Sequence, residues 1–274
     1  MPELPEVETV AADLRPALVG KRIVRCHLRF PTIVRYPEPE AFRDGVEGRT
    51  IEALTRRGKY LLHHLNDGYL MVVHLGMTGS LRVVDPGVPY ADHVHAVLDL
   101  DDLTQLRYRD PRRFGRLLFG TEDELVARRA LPRLGPEPID LSFSALDLYR
   151  RLHHRRAPLK ALLLDQAVVA GVGNIYADES CFRARIRPDR PANSLSRQAV
   201  RRLRDALQES LTTAIANRGS SVDSYRDAFG EKGRQQEELL VYGRAGEPCP
   251  TCGRPLASLR LAGRTTVFCR RCQR

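Results

Sequence analysis

The 274-residue chain has no tryptophan, and aromatic residues make up only 6% of it. Any core must therefore be built from aliphatic side chains, and a hydrophobic content of 42% supplies enough of them. No run of about 18 apolar residues occurs, so no membrane-spanning helix is expected. The opening MPELPEVETV carries Glu3, Glu6 and Glu8. It lacks the positive start and apolar stretch of a secretory signal, so the expected location is intracellular. Disulfides are rare in that compartment, and the six cysteines need another reading. Also missing are a phosphate loop, a hydrolase elbow and a dinucleotide fingerprint, which removes the commonest nucleotide and acyl-transfer chemistries.

What is present in excess is positive charge. Lys and Arg number 44 against 34 Asp and Glu, a formal net charge of +10. Cationic side chains displace the counterions condensed on a polyanion, so nucleic acid is a natural partner. Charge alone also fits a protein that is merely basic.

Hydrophobic periodicity divides the chain. Val7, Val10, Ala11, Leu14 and Leu18 recur at helical spacing, which predicts a helix over Glu6 to Leu18. Short alternating or apolar runs follow: Arg22 to Phe30, Arg49 to Arg57, Lys59 to Leu65, Gly68 to Leu75, Ser80 to Val84, His93 to Leu100, Gln105 to Arg109 and Arg116 to Gly120. Turn residues such as Asn66-Asp67-Gly68 punctuate them, the pattern of an antiparallel sandwich or barrel. A first domain over residues 1–120 and a breaker-rich linker over 121–140 are expected. Helices are predicted over Ser144 to Leu152, Pro158 to Asp165, Ile175 to Phe182 and Ser196 to Ala216, with Ser196 as an N-cap. These fall in a helical region over 141–240, within which 219–238 reads as a polar loop. A small terminal unit takes 241–274.

That unit contains Cys249-Pro-Thr-Cys252 and Cys269-Arg-Arg-Cys272, two C-x2-C pairs separated by sixteen residues. Two such knuckles close a four-thiolate tetrahedron around one structural zinc ion, with no open position for catalysis. A redox dithiol or a disulfide pair is the competing reading. From Cys249 onward there are six Arg and no Asp or Glu, which suits a hairpin that grips a nucleic-acid backbone. A zinc ribbon for protein contact is the alternative. Cys26 and Cys181 are isolated and read as core.

The start of the chain offers chemistry. Pro2 follows the initiator Met1. Methionine is normally removed before so small a residue, and removal exposes a secondary amine that is nucleophilic when neutral. Such an amine condenses with a sugar C1′ to give an iminium, an electron sink for elimination. Glu3 stands next to it as an acid or base. Many proteins begin this way without using either residue. While Met1 remains, the Pro2 nitrogen is a tertiary amide with no nucleophilic lone pair.

Taken together, the chain resembles the bacterial formamidopyrimidine-DNA glycosylase (MutM) family along its whole length. The resemblance is carried by MPELPEVET at the start, by Arg57-Gly58-Lys59-Tyr60-Leu61-Leu62, by His74-Leu75-Gly76-Met77-Thr78-Gly79-Ser80-Leu81 and by Asp110-Pro111-Arg112-Arg113-Phe114-Gly115. It continues through Gly171-Val172-Gly173-Asn174-Ile175-Tyr176-Ala177, Val241-Tyr242-Gly243-Arg244 and the zinc hairpin with Gly263-Arg264. It implies an α+β fold: an N-terminal antiparallel β-sandwich with flanking helices, a helical helix-two-turn-helix DNA-binding domain and a terminal zinc-finger hairpin. It implies excision of oxidised purines such as 8-oxoguanine and formamidopyrimidines, then β,δ-elimination at the abasic site. The implied catalytic residues are Pro2, Glu3, Lys59 and Arg264. The implied DNA contacts are His74, His93, Arg113, Arg156 and Asn174. Met77, Arg112 and Phe114 fall on the trio that fills the gap left by a flipped nucleotide.

The expected partner is damaged double-stranded DNA, the expected cofactor one Zn2+, and the expected state a monomer in a bacterial cytoplasm, at the nucleoid. Two other readings are a relative of endonuclease VIII type, acting on oxidised pyrimidines, and a non-catalytic DNA-binding protein. Glu3-Leu4-Pro5-Glu6 and the Met77, Arg112, Phe114 set speak against the first, and the intact Pro2, Glu3, Lys59 and Arg264 against the second. One stretch departs from the family pattern: after Phe229 the loop before Val241 has no aromatic residue.

Overall fold

A computed structural model describes all of residues 1–274. The chain forms two compact units: Met1–Arg133 with Arg218–Arg234, and Leu134–Asn217 with Gln235–Arg274.

The first unit begins with helix α1 (Leu4–Leu18). It starts two residues before the expected Glu6 because Glu3 caps it. The Glu3 side chain accepts from the backbone of the first turn, and the Glu6 carboxylate accepts from the Glu3 N–H at 2.8 Å. The buried face of α1, Val7, Val10, Leu14 and Leu18, joins the core of two sheets.

One sheet contains β1 (Ile23–Leu28), β6 (Ser80–Val84), β7 (Val94–Leu100) and β8 (Gln105–Arg109), in the order β1-β7-β8-β6. The other contains β2 (Val34–Tyr36), β3 (Ile51–Arg57), β4 (Tyr60–Leu65), β5 (Tyr69–His74) and β9 (Arg116–Thr121), in the order β2-β9-β5-β4-β3. All pairings are antiparallel except β2 with β9. Leu54, Leu61 and Val73 from the second sheet meet Leu98, Leu106 and Tyr108 from the first in a single core. Two short helices complete the unit, α2 (Pro39–Val46) and α3 (Glu122–Ala127).

Residues 218–234, whose polar sequence reads as a loop after the long helix, pack on α1. Arg218 pairs with Asp13 at 2.7 Å and with Asp227, and the Ser220 N–H donates to Glu6 Oε1 at 2.7 Å. Glu6 and Asp13 of α1, together with the segment's own buried Asp227, thus organise a stretch with few apolar residues.

The second unit contains α4 (Ala145–Leu152), α5 (Leu159–Leu164), α6 (Asn174–Arg183), α7 (Arg197–Ala216) and a hairpin of β10 (Ala257–Leu261) and β11 (Arg264–Phe268). Ser144 and Ser196 cap α4 and α7 through their hydroxyls. Helix α6 is buried along most of its length, and two of its acidic residues hold the hairpin region. Asp178 meets Lys160 at 2.7 Å with both side chains fully buried, and it accepts from the Val267 N–H. Lys160 also donates to Thr265 O and Thr266 Oγ1. Glu179 accepts the backbone N–H groups of Leu240, Val241 and Tyr242, each at 2.9 Å.

Candidate active site

Pro2 and Glu3 lie buried at the start of α1. The Glu6 carboxylate ties one oxygen to the Glu3 N–H and the other to the Ser220 N–H, so one side chain fixes both the N-terminal junction and the 218–234 segment. The amine of Met1 stands 3.6 Å from Asp223.

Lys59 is 6% exposed, in the turn between β3 and β4. Arg56 links this turn to α1: its Nε donates to Glu8 Oε2 at 2.8 Å and its Nη1 to Gly58 O at 3.1 Å. Antiparallel pairing sets Tyr60 opposite His74, with the two rings 4.8 Å apart. Burial pushes His74 down to about 4, and the nearby charges of Lys59 and Arg116 push in the same direction. His74 is therefore a neutral imidazole at pH 7. Its Nδ1 accepts from the Gly76 N–H at 3.2 Å, leaving the proton on Nε2.

Asp110, fully buried, fastens two loops together. One carboxylate oxygen accepts from the Thr78 hydroxyl and the Arg112 N–H, the other from the Gly115 N–H at 2.8 Å and the Tyr108 hydroxyl. The loops touch backbone to backbone. A Cβ on Gly76 would collide with the Phe114–Gly115 peptide, and one on Gly115 with the Tyr108 hydroxyl. Met77 is half-buried on one loop, while Arg112 and Phe114 are exposed on the other, the guanidinium 4.8 Å from the ring centroid. Arg113, at φ +59, lies over the Phe30 ring. His93, exposed at φ +65, accepts the Asp110 N–H through its backbone carbonyl.

In the second unit, Asn174 opens α6 after Gly171 and Gly173, the latter serving as the N-cap. Gln166 shapes this turn, bonding the Gly171 N–H and Val172 O. Arg156 is exposed between α4 and α5, and Arg264 is exposed at the hairpin turn. The Sγ atoms of Cys249, Cys252, Cys269 and Cys272 lie within 4.8 Å of one another, with Cys249–Cys272 at 3.9 Å and Cys252–Cys269 at 3.6 Å. Zinc–sulfur bonds of about 2.3 Å in a tetrahedron require edges of about 3.8 Å, so the four sulfurs fit one Zn2+.

The structure thus brings Lys59 to His74, and Met77 to Arg112 and Phe114. It places Arg156, Asn174, Arg264 and the four cysteines in the second unit. Glu6, Arg56 and Asp110 hold the site as well, roles that the sequence reading did not assign to them. Glu6 had a signal, the three-residue spacing from Glu3 that makes a capping box. In the departing stretch, Phe229 is 69% exposed and Gln235 is buried, accepting from Asn217.

Three family profiles match in order: the formamidopyrimidine-DNA glycosylase N-terminal domain over residues 1–117, the H2TH domain of the same glycosylase over 134–226, and a zinc finger found in FPG and IleRS over 246–274. The formamidopyrimidine-DNA glycosylase of Moorella thermoacetica is 50% identical over 260 residues, covering 95% of each chain. That of Desulfitobacterium hafniense is 45% identical over 273 residues, covering 100% of each. The crystal structure of MutM from Thermus thermophilus superposes with a TM-score of 0.89 at 45% identity, over 99% of this chain and 98% of that one. Lactococcus lactis Fpg in complex with abasic-site DNA gives 0.91 at 36% identity, over 99% of each. With similarity running from end to end and all three domains in order, the chain belongs to the formamidopyrimidine-DNA glycosylase family.

Proposed function

We propose that the family's activity, DNA glycosylase and AP lyase of base excision repair, is carried in this chain by the Pro2 nitrogen once Met1 has been removed. The lesions are oxidised purines, 8-oxoguanine and formamidopyrimidines, in double-stranded DNA. The observation that carries this reading is the N-terminal junction: Pro2 and Glu3 are buried together, and Glu6 holds the Glu3 backbone in place.

In the first step the Pro2 lone pair attacks C1′ and the N-glycosidic bond breaks, the base leaving with the bonding electrons and a proton. Glu3 protonates the sugar ring oxygen as the ring opens, and the nitrogen and C1′ become an iminium. The iminium withdraws electrons from C2′, whose proton is lost. The 3′ phosphate leaves by β-elimination, and the 5′ phosphate then leaves by δ-elimination. Hydrolysis restores the amine. Glu3 exchanges the protons at these steps, and Lys59, beside the neutral His74, holds phosphate and assists proton transfer.

Each remaining residue serves extrusion of the nucleotide. Met77 and Phe114 wedge into the stack, and Arg112 offers donors to the orphaned partner base. His74, His93 and Arg113 in the first unit, with Arg156, Asn174 and Arg264 in the second, contact the backbone. Arg264 does so from a hairpin that zinc folds, and Asn174 from a helix N-terminus whose free N–H groups favour phosphate. The protein works as a monomer, since lesion search along a duplex needs no symmetry, and in the cytoplasm, where the bacterial chromosome lies. No helix is long and apolar enough to cross a membrane.

The test is borohydride trapping on an 8-oxoguanine duplex. The mature protein, lacking Met1 by mass spectrometry, becomes covalently attached to DNA. Pro2→Gly loses most of the adduct, and Glu3→Gln slows base release by about 10²-fold or more. Failure of the wild type to trap any abasic or damaged duplex would overturn the proposal.

A further inference from the structure

The second unit carries a cluster of positive charge that the reaction does not use. Arg185, Arg190, Arg202, Arg271 and Arg274 line a cavity of about 750 Å3, with Thr251 at its edge and no acidic side chain in its wall. None of the five guanidiniums is in an ion pair with a carboxylate side chain. Two are held in place by hydrogen bonds, one of them to the chain's own terminal carboxylate. Arg190 donates to Ser194 Oγ and Ser194 O, each at 3.0 Å, and to Arg274 O at 3.3 Å, while Arg202 donates to Ala184 O at 3.2 Å. Arg185 occupies a left-handed position, φ +58, just past the end of α6, where glycine or asparagine is the ordinary choice. Local strain and mutual repulsion of like charges persist where an occupant compensates them.

The cavity sits at the far end of the second unit from Asn174 and Arg264. Asn174 opens α6 and Arg185 follows its last turn, a separation of about 15 Å for ten residues. Arg264 opens β11, and Cys269 follows its end, about 17 Å along the strand. Cys252 and Cys272 also face the cavity. A zinc tetrathiolate carries a net charge of about −2. Five guanidiniums exceed that even when the terminal carboxylate of Arg274 is added, so the cluster keeps an excess of positive charge.

We propose that this cavity is a second anion site, separate from the lesion-binding face, and that it takes closely spaced phosphate groups. Guanidiniums match phosphate oxygens with paired hydrogen bonds, which favours phosphate over carboxylate. No aromatic residue lines the cavity, so it has no platform for a nucleobase and reads phosphate alone. Two sources supply that chemistry: the backbone of a second DNA segment, and a free oligophosphate.

The experiment uses the zinc-loaded full chain and tripolyphosphate, followed by calorimetry. Wild type binds one tripolyphosphate saturably. The Arg185→Asn/Arg202→Gln double variant, which keeps its zinc and its excision rate, binds about tenfold more weakly or worse. Arg202→Gln alone, at an exposed helix position, gives a smaller loss in the same direction, and Arg264→Ala binds like wild type. The proposal is overturned if wild type shows no saturable binding, if Arg264→Ala loses it instead, if the double variant binds normally, or if oligoglutamate displaces tripolyphosphate at equal concentration. It is also overturned if the variants lose zinc, since the arginines then serve the thiolates. A second arm separates the sources. If release from a labelled lesion-free duplex speeds up with competitor duplex in wild type but not in the double variant, the occupant is a second DNA segment. Equal acceleration in both assigns the site to free oligophosphate.

Discussion

The two units bury titratable groups whose proton affinities move in opposite senses. In the first, His63 and His74 are both pushed down to about 4 by burial, so each is neutral when folded and protonated when unfolded through the mildly acidic range. In the second, burial pushes Asp178 up to about 6, with Lys160 and the Val267 N–H pulling it back. The histidines release protons on folding and Asp178 takes one up. Acid therefore weakens the first unit through its histidines. The Asp178 contribution is full below about 3.8 and is lost as the pH rises through about 6. Folding of each unit is linked to pH by buried groups, with the sign set by whether the neutral form is the base or the acid.

The largest expected effect lies in the second unit. Chelation of zinc, or Cys252→Ser, removes binding free energy on the order of 10 kcal/mol from the hairpin. Metal analysis should give no zinc, hairpin amides should lose protection in hydrogen exchange, and DNA binding should collapse, while the strands of the first unit stay protected. Next is the ion pair itself. Lys160→Met leaves a buried carboxyl without its cation and should cost about 3–5 kcal/mol in urea denaturation. Adding Asp178→Leu should recover part of the loss, and a double variant no more stable than the single would refute the ion-pair account.

In the first unit, stability should fall as the pH drops from 6.5 toward 4, by up to about 3 kcal/mol for each histidine. His63→Leu should flatten that slope, as read from unfolding midpoints across the range. The smallest effect is at Asp110. Asp110→Asn removes an acceptor from the two loops and should cost about 1–3 kcal/mol. It should slow 8-oxoguanine release far more than cleavage of a preformed abasic site, which has no base to extrude. Equal slowing of both would mean that the loops are not held by this carboxylate for extrusion.

The legible parts of this chain were those with periodicity or fixed spacing. The strands from Ile51 to Thr121 follow the alternation of Leu61, His63 and Leu65 or of Val94, Ala96 and Leu98, and the helices after Ser144 and Ser196 announce their caps. Helix α2 escaped notice because it opens on Pro39 and Glu40 and contributes only Phe42 and Val46 to the core. Strand β2 is three residues long and is held by parallel pairing of Val34 with Leu117 and Tyr36 with Leu118, a contact between distant parts of the chain that no local pattern encodes. Helix α3 lies within the stretch that its breakers and charges mark as linker. The cysteines were legible as a zinc site because the ligand spacing is itself the signal. Lys160 was not, since a lysine among leucines reads as a solvated cation until α6 supplies Asp178 beneath it. The same holds for Asp110, whose partners come from residues 78, 108, 112 and 115 and assemble only when the strands pair.

The pairing of β5 with β9 sets the spacing of the two loops that the proposed function assigns to nucleotide extrusion. His74 and Arg116 are opposite one another, so the loop carrying Met77 leaves the sheet beside the loop carrying Arg112 and Phe114. Neighbouring strands are about 4.8 Å apart, whereas stacked base pairs are about 3.4 Å apart. Under the proposed function, two loops at that separation would enter one opened step and would not straddle two. On that reading the sheet would be a gauge: the register would set how far the duplex is spread, and a residue inserted in either loop would change the depth of the probe without altering its width.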